Sequence, residues 1–367
     1  PCPAGRRGRA HAVPLDRGRL GRRTGLTPTT RCWGYLSQVD TPLRSNRTGS
    51  CAYCRSSDAP LLDPFRLAEY FELLLSAYRP DPAGSLLIHC WKQDWGLFAN
   101  GNMEDAHTKD LLAEILDDGD IVRNRFSPAT MPELEHLGDW GRLREELMYR
   151  NRFFPDIDIN LDKLRRVLPY LVLKTDELPA LWYRARIQPG EQSLDLSQMG
   201  APPARIASHG RANPAGIPYL YLASTEKTAV SEIRPHAGEV ICVAQFERPE
   251  GLSIVDLGSP KDTVSPFQLS DAEEIIRMRG DLPFLERLGQ ELRRPVVPQA
   301  AAIDYTPSQY LCEFIKKCGH DGVVYSSAQG DGLNLALFDP SKADGRMVAQ
   351  RLVTKVSVHT QDTPSPS

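Results

Sequence analysis

Three side chains of complementary chemistry fall within the stretch Ser208 to Arg234: Arg211, Tyr221 and Glu232, the last two eleven positions apart. A guanidinium is a rigid fork of donors that grips phosphate oxygens in pairs. The face of a phenol ring attracts a flat cation. A carboxylate stabilises positive charge that develops beside it as a bond breaks. Gathered around one cleft, the set could hold an anionic ligand and assist a cleavage with a cationic transition state. Taken singly, each residue is unremarkable, because exposed charge is the norm on protein surfaces.

The local pattern supplies elements that could gather them. Gly210 to Gly216 holds two glycines, a proline and an asparagine, so it reads as a loop. Tyr219 to Ala223 reads as a strand, with Tyr219, Tyr221 and Ala223 on one face and Leu220 and Leu222 on the other. Ser224 or Thr225 then caps a helix that Pro235 ends, with Ala229, Val230 and Ile233 as its apolar stripe. Glu232 lies at the edge of that stripe.

Further elements flank this unit. Leu181 to Ile187 alternates as a strand that puts Trp182, Arg184 and Arg186 on one side. Residues 239–247 are apolar on both faces and read as a buried strand; 252–257 is another. Residues 271–294 read as helical, interrupted at Gly280 and Pro283. Thr306 and Pro307 open a helix with Tyr310, Leu311, Phe314, Ile315 and Cys318 as its stripe and Gly319 as its stop. Strands at 323–327 and 333–338 enclose a loop at 328–332.

The N-terminal half reads differently. Residues 1–31 are arginine-rich with one acid, Asp16, and suggest a disordered basic tail without the apolar core of a secretory signal. Residues 32–58 carry Cys32 and a C-x-x-C pair, Cys51 and Cys54, short of the four ligands of a structural zinc site, so free thiols and no metal are the first reading, with zinc binding as the alternative. From 59 to 174 the pattern is helical. Asp63 and Pro64 start a first helix that Pro80 closes. Residues 85–95 form a short strand or a buried helix; Leu111 to Leu116 mark another helix, and two more cover 131–149 and 161–167. Residues 176–179 link to the second domain, 175–358, and 359–367 form a polar tail.

The chain has 367 residues, 41% hydrophobic and 25% charged, an ordinary globular composition. A net charge of −3 disfavours general nucleic-acid binding. No apolar run approaches the ~20 residues of a membrane span. Eight scattered cysteines suggest reduced thiols and a cytoplasmic setting.

The run G-R-x-N-P-x-G-x-P-x-L-Y-L-A from Gly210, followed by T-A-x-x-E-x-R from Thr228, resembles the core of the RES domain, named for its arginine, glutamate and serine. G-x-D-G-x-x-Y-x-S from Gly319 and N-L-x-L-F from Asn334 resemble its C-terminal signature and put Ser327 at the serine position. The opening strand of that family puts Arg184 at a matching arginine. The resemblance implies an α+β protein: a helical N-terminal domain, similar to HEPN folds, followed by a mixed α/β domain with an ADP-ribosyltransferase-like core. The R-x4–6-H pair of HEPN ribonucleases is matched only by Arg6 and His11 in the tail, so His89, His107 and His136 are read as incidental.

The resemblance further implies the toxin of a toxin–antitoxin pair that cleaves NAD between nicotinamide and ribose. Glu232 would stabilise the oxocarbenium-like state. Arg184 and Arg211 would take the diphosphate, and Tyr221 would face the nicotinamide. Ser327 would orient ribose or the nucleophile, and Asn213 lies in the same binding loop. NAD is the substrate, with phosphate or water as the second reactant and no other cofactor. ADP-ribosyl transfer to a macromolecule and non-catalytic nucleotide sensing are the rival readings. The expected partner is a helix-turn-helix antitoxin; a homodimer is compatible, and membrane or nucleic acid is not expected.

Overall fold

The computed structural model describes residues 31–32, 48–53, 55, 57, 59–98, 103–131, 137–156, 159–248 and 250–357. Both tails, Cys54 and His136 lie outside the described residues. Cys51 is a buried free thiol. The fold is α+β.

In the N-terminal half, β1 (Arg31–Cys32), β2 (Thr48–Gly49) and β3 (Ala59–Leu62) form a small antiparallel sheet in the order β1-β3-β2. Then come α1 (Ala68–Ser76), β4 (Tyr78–Leu86), α2 (Leu87–Trp95), α3 (Asp105–Leu116), β5 (Arg125–Pro128), α4 (Trp140–Tyr149) and α5 (Leu161–Val167). The segment is therefore less helical than its sequence suggests. The first helix ends at Ser76, before Pro80, and Tyr78 onward pairs antiparallel with β5. Prolines 80 and 82 mask the strand signal, yet the register shifts between Pro80 and Ser85 and accommodates them. Gly84 is required there, because a Cβ would lie 2.2 Å from the Phe126 carbonyl oxygen. Of the helix expected over 131–149, residues 132–136 lie outside the described residues; α4 covers Trp140–Tyr149, and the Asp139 carboxylate caps it by accepting from Gly141 and Arg142. Residues 85–95 resolve as helix α2 from Leu87.

The C-terminal half contains β6 (Leu181–Ile187), β7 (Leu220–Ala223), α6 (Glu226–Glu232), β8 (Val240–Glu247), β9 (Ile254–Asp256), α7 (Pro260–Thr263) and α8 (Ala272–Arg293). There follow α9 (Ala301–Asp304), α10 (Thr306–Lys317), β10 (Gly322–Ser326), β11 (Leu333–Leu337) and β12 (Gly345–Leu352). Seven strands make one sheet in the order β12-β8-β6-β7-β11-β10-β9. All its pairs are antiparallel except β9 with β10. Strand β12 was not anticipated; its mostly exposed residues carry no alternating pattern. At the centre, β6 and β7 share only the pair Tyr183 and Ala223, so the sheet opens there.

Helix α8 runs unbroken through Gly280 and Pro283, against the expected interruption. An internal proline costs about 3 kcal/mol. The helix buries Ile275, Met278, Leu282, Leu285, Leu288 and Leu292 at helical spacing. Each such side chain contributes about 1.5–3 kcal/mol, so burial outweighs the defect. Thr306 is not a cap either: α9 leads directly into α10, Tyr305 takes the cap position, and the Thr306 hydroxyl donates to the Ala302 carbonyl.

One hydrophobic core runs through both halves. Phe71, Trp91 and Leu147 belong to the same buried cluster as Leu285, Ile315 and Tyr325. Buried ion pairs tie α8 to the N-terminal half: Lys163 Nζ to Asp281 at 2.7 Å and Arg144 Nε to Glu291 at 3.1 Å. Across the sheet, Leu222, Leu335, Val324 and Trp182 fill a second cluster.

Candidate active site

The central sheet sorts side chains as the strand alternation requires. Leu220 and Leu222 enter the cluster on one face, while Tyr219 and Tyr221 pack with Tyr325 and Ala336 on the other. On this second face, the register lines up Tyr325, Asn334, Ala223 and Tyr183 across four strands. Helix α6 covers one end of the face, packing Ala229, Val230 and Ile233 on Ala185, Ala223 and Val243. Of the two cap candidates, Thr225 is used; it accepts from the Thr228 N–H. Ser224 instead accepts from the Leu333 N–H at 2.9 Å and ties the start of α6 to β11.

Glu232 stands at the C-terminal end of α6. Its Oε1 accepts from Ser327 Oγ and from Asn334 Nδ2, each at 2.6 Å. Both donors are buried, whereas Glu232 itself is exposed. One carboxylate oxygen is thus held from beneath, and Oε2 takes no donor among the described residues. Ser327 Oγ also accepts from the Gln329 N–H at 3.0 Å, which orients its proton toward Glu232. Gly332 lies close by: a Cβ there would come within 2.3 Å of the Thr228 hydroxyl, so the loop can close on α6 only as glycine.

Tyr221 is spent differently from the expectation. Its hydroxyl donates to Asn213 Oδ1 at 2.7 Å and accepts from the Ala212 N–H at 2.9 Å. Asn213 Nδ2 donates to the carbonyls of Ser208, Pro214 and Ile217. Asn213 is therefore the hub that folds the loop rather than a free ligand-binding group, and Tyr221 fastens that hub to the sheet. Gly210 presses on both: its Cβ would lie 2.5 Å from Asn213 Oδ1 and 2.7 Å from the Tyr221 oxygen. Burial raises the Tyr221 phenol above its ordinary range.

Arg184 reaches into the opening between β6 and β7, where Nη1 donates to the Tyr221 carbonyl at 2.9 Å. Its Nε is buried without a partner. No carboxylate pairs with it among the described residues, against the structural ion pair that the sequence left open. Burial, reinforced by the charge of Arg186, lowers its pKa to about 10. Arg211 donates from Nη1 to the Arg294 carbonyl at 2.7 Å and lies over the Tyr305 ring, 5.2 Å from its centroid.

Tyr325 lies in the same buried cluster as Tyr219, with Tyr221 packed against that cluster. Burial drives the Tyr325 phenol well above the ordinary range; the Glu232 carboxylate also raises it and the Arg211 guanidinium opposes. Ser327 is bonded to Glu232 and Arg184 to the backbone of Tyr221, whereas Arg211 is held by the Arg294 carbonyl and the Tyr305 ring. Asn334 and Tyr325 escaped the sequence reading as site residues. The signal was there for Asn334: an asparagine inside an apolar strand is disfavoured unless its amide has a partner.

Among the described residues, no group of three or more His, Cys, Asp or Glu could hold a metal ion. None of their helices is long and apolar enough to cross a membrane.

Comparison with known proteins agrees with the motifs. The RES domain family matches residues 181–359. No protein among those with curated descriptions matches the chain. Among solved structures, a crystal structure of the M. tuberculosis MbcT–MbcA toxin–antitoxin complex aligns at 14% identity and a TM-score of 0.32, covering 53% of this chain and 93% of that one. The C-terminal half of this chain, residues 181–359, is a RES domain.

Proposed function

We propose that the RES domain cleaves the bond between nicotinamide and ribose in NAD, with phosphate or water as the acceptor. The observation that carries this reading is the Glu232 carboxylate, fixed through one oxygen by Ser327 and Asn334 and open at the other. Loss of nicotinamide leaves positive charge on the ribose carbon and ring oxygen. A pre-positioned carboxylate stabilises that charge without reorganising during the step. Ser327 serves as an orienting donor rather than a nucleophile. Its proton points to Glu232, and the nearby histidine in sequence, His320, is bonded to Ser253 instead.

The guanidinium groups supply the complement to the diphosphate. Arg184 is a buried cation with an orphan donor, which favours an anionic ligand at the sheet opening. Arg211 stands on a loop that Asn213 and Tyr221 hold in place. The RES domain also supports a toxic role opposed by an antitoxin encoded with it. The test is release of nicotinamide from NAD by the purified chain, with and without phosphate. ADP-ribose 1-phosphate as product identifies phosphorolysis, and ADP-ribose identifies hydrolysis. Label from NAD on a macromolecule instead would replace both with transfer, and no nicotinamide release would overturn the proposal.

A further inference from the structure

The C-terminal end of α8 forms a second concave site, outside the Glu232 cluster. A recess of about 690 Å³ opens there between α8 and the start of α4. Arg287, Arg293 and Arg294 line it, with Trp140 and Glu291 in its wall. The volume lies within the range of small-molecule sites. Glu291 does not neutralise the three arginines, because its carboxylate is taken by Arg144 at 3.1 Å and by the Trp140 N–H. Arg287, Arg293 and Arg294 have no carboxylate partner among the described residues. One arginine in the last turn of a helix is expected from the helix dipole. Three guanidiniums without a carboxylate partner among the described residues, all lining one recess, exceed that.

The recess adjoins the candidate active site at two points. Arg293 also lines a smaller cavity of about 270 Å³ that reaches Ser326, the neighbour of Ser327. The Arg294 carbonyl accepts from Arg211, the loop arginine assigned to diphosphate. Positive charge therefore continues from Arg211 to Arg293 along the end of α8.

We infer that this recess binds the diphosphate of a nucleoside diphosphate, gripped by Arg287 and Arg293. Guanidinium forks match phosphate oxygens in pairs, and two phosphates carry enough charge to answer three cations. The ligand is a separate nucleotide, because the diphosphate of the dinucleotide is already assigned to Arg184 and Arg211; it acts on the candidate active site through the Arg294–Arg211 contact.

Titration of the full chain with ADP by calorimetry tests the site directly. Binding is expected to weaken about tenfold or more in the Arg287→Ala, Arg293→Ala double variant, as loss of charge-assisted bonds requires. It should also weaken steeply with added salt. Both residues are exposed, so the fold is not at risk, and an unchanged melting temperature checks this. Glu232→Gln should bind ADP as the parent does, so a failure of the NAD reading leaves this measurement intact. No binding of ADP, or equal binding by the double variant, overturns the inference. Where nicotinamide release is measurable, ADP that alters kcat supports the separate site, and ADP that only raises KM, as a competitor for the NAD site would, overturns it.

Discussion

Replacing Glu232 by glutamine removes a charge and little else. The amide oxygen of glutamine can take the place of Oε1 and accept from both Ser327 Oγ and Asn334 Nδ2, now at 2.6 Å. Two buried donors thus keep a partner, and the about 1–3 kcal/mol penalty of leaving one unsatisfied is avoided. The transition state loses its carboxylate. Two unit charges 4 Å apart interact by about 4 kcal/mol at an effective dielectric of 20 and by about 1 kcal/mol in water. Glu232 is exposed on one side, which places it between these limits before substrate excludes water. A loss near 2.7 kcal/mol corresponds to about a hundredfold in rate. The expected result is kcat for nicotinamide release down by about two orders of magnitude, with KM and melting temperature near the parent values. Full activity in a folded Glu232→Gln protein refutes the assigned role. An equal loss of stability and activity refutes the claim that the site is preserved.

Other substitutions probe the scaffold. Tyr221→Phe leaves Asn213 and Ala212 without their hydroxyl partner and should lower stability by about 1–3 kcal/mol in urea unfolding; an unchanged midpoint would refute the fastening role. Gly210→Ala drives a methyl into the same pair and should cost about 1–3 kcal/mol by overpacking, readable as a lower melting temperature. Lys163→Met removes an ion-pair partner of the buried Asp281 carboxylate, so a loss of about 3–5 kcal/mol is expected, and a loss below about 1 would show that the pair does not join the two halves. Burial holds the His320 imidazole below its ordinary range, with the charge of Asp321 opposing. Its folded pKa lies below the unfolded one, so its contribution is present above the ordinary histidine value and is lost as pH falls through the folded value. Urea midpoints measured between pH 7 and 5 should therefore fall less steeply in His320→Gln than in the parent; equal slopes refute the assignment.

The sequence by itself determined what depends on near neighbours in the chain. The alternation of Tyr219 to Ala223, a cap at Ser224 or Thr225, the stripe of α6 and the stop at Gly319 were legible because each obeys a local period or a single-residue preference. The motif spacing likewise pointed to the RES domain. Only the tertiary structure decided what these residues touch. Asn213 and Tyr221 turn to each other because the loop folds back on its own strand. Ser327 and Asn334 meet Glu232 because β11 lies beside β7 beneath α6, a pairing across about a hundred residues that no window of sequence contains. The N-terminal half hid its β4–β5 pair behind prolines, and α8 kept its course through Pro283 because burial along its whole length outweighs one lost hydrogen bond. Local preference is a matter of tenths to a few kcal/mol, and long-range packing overrides it wherever enough apolar surface is buried.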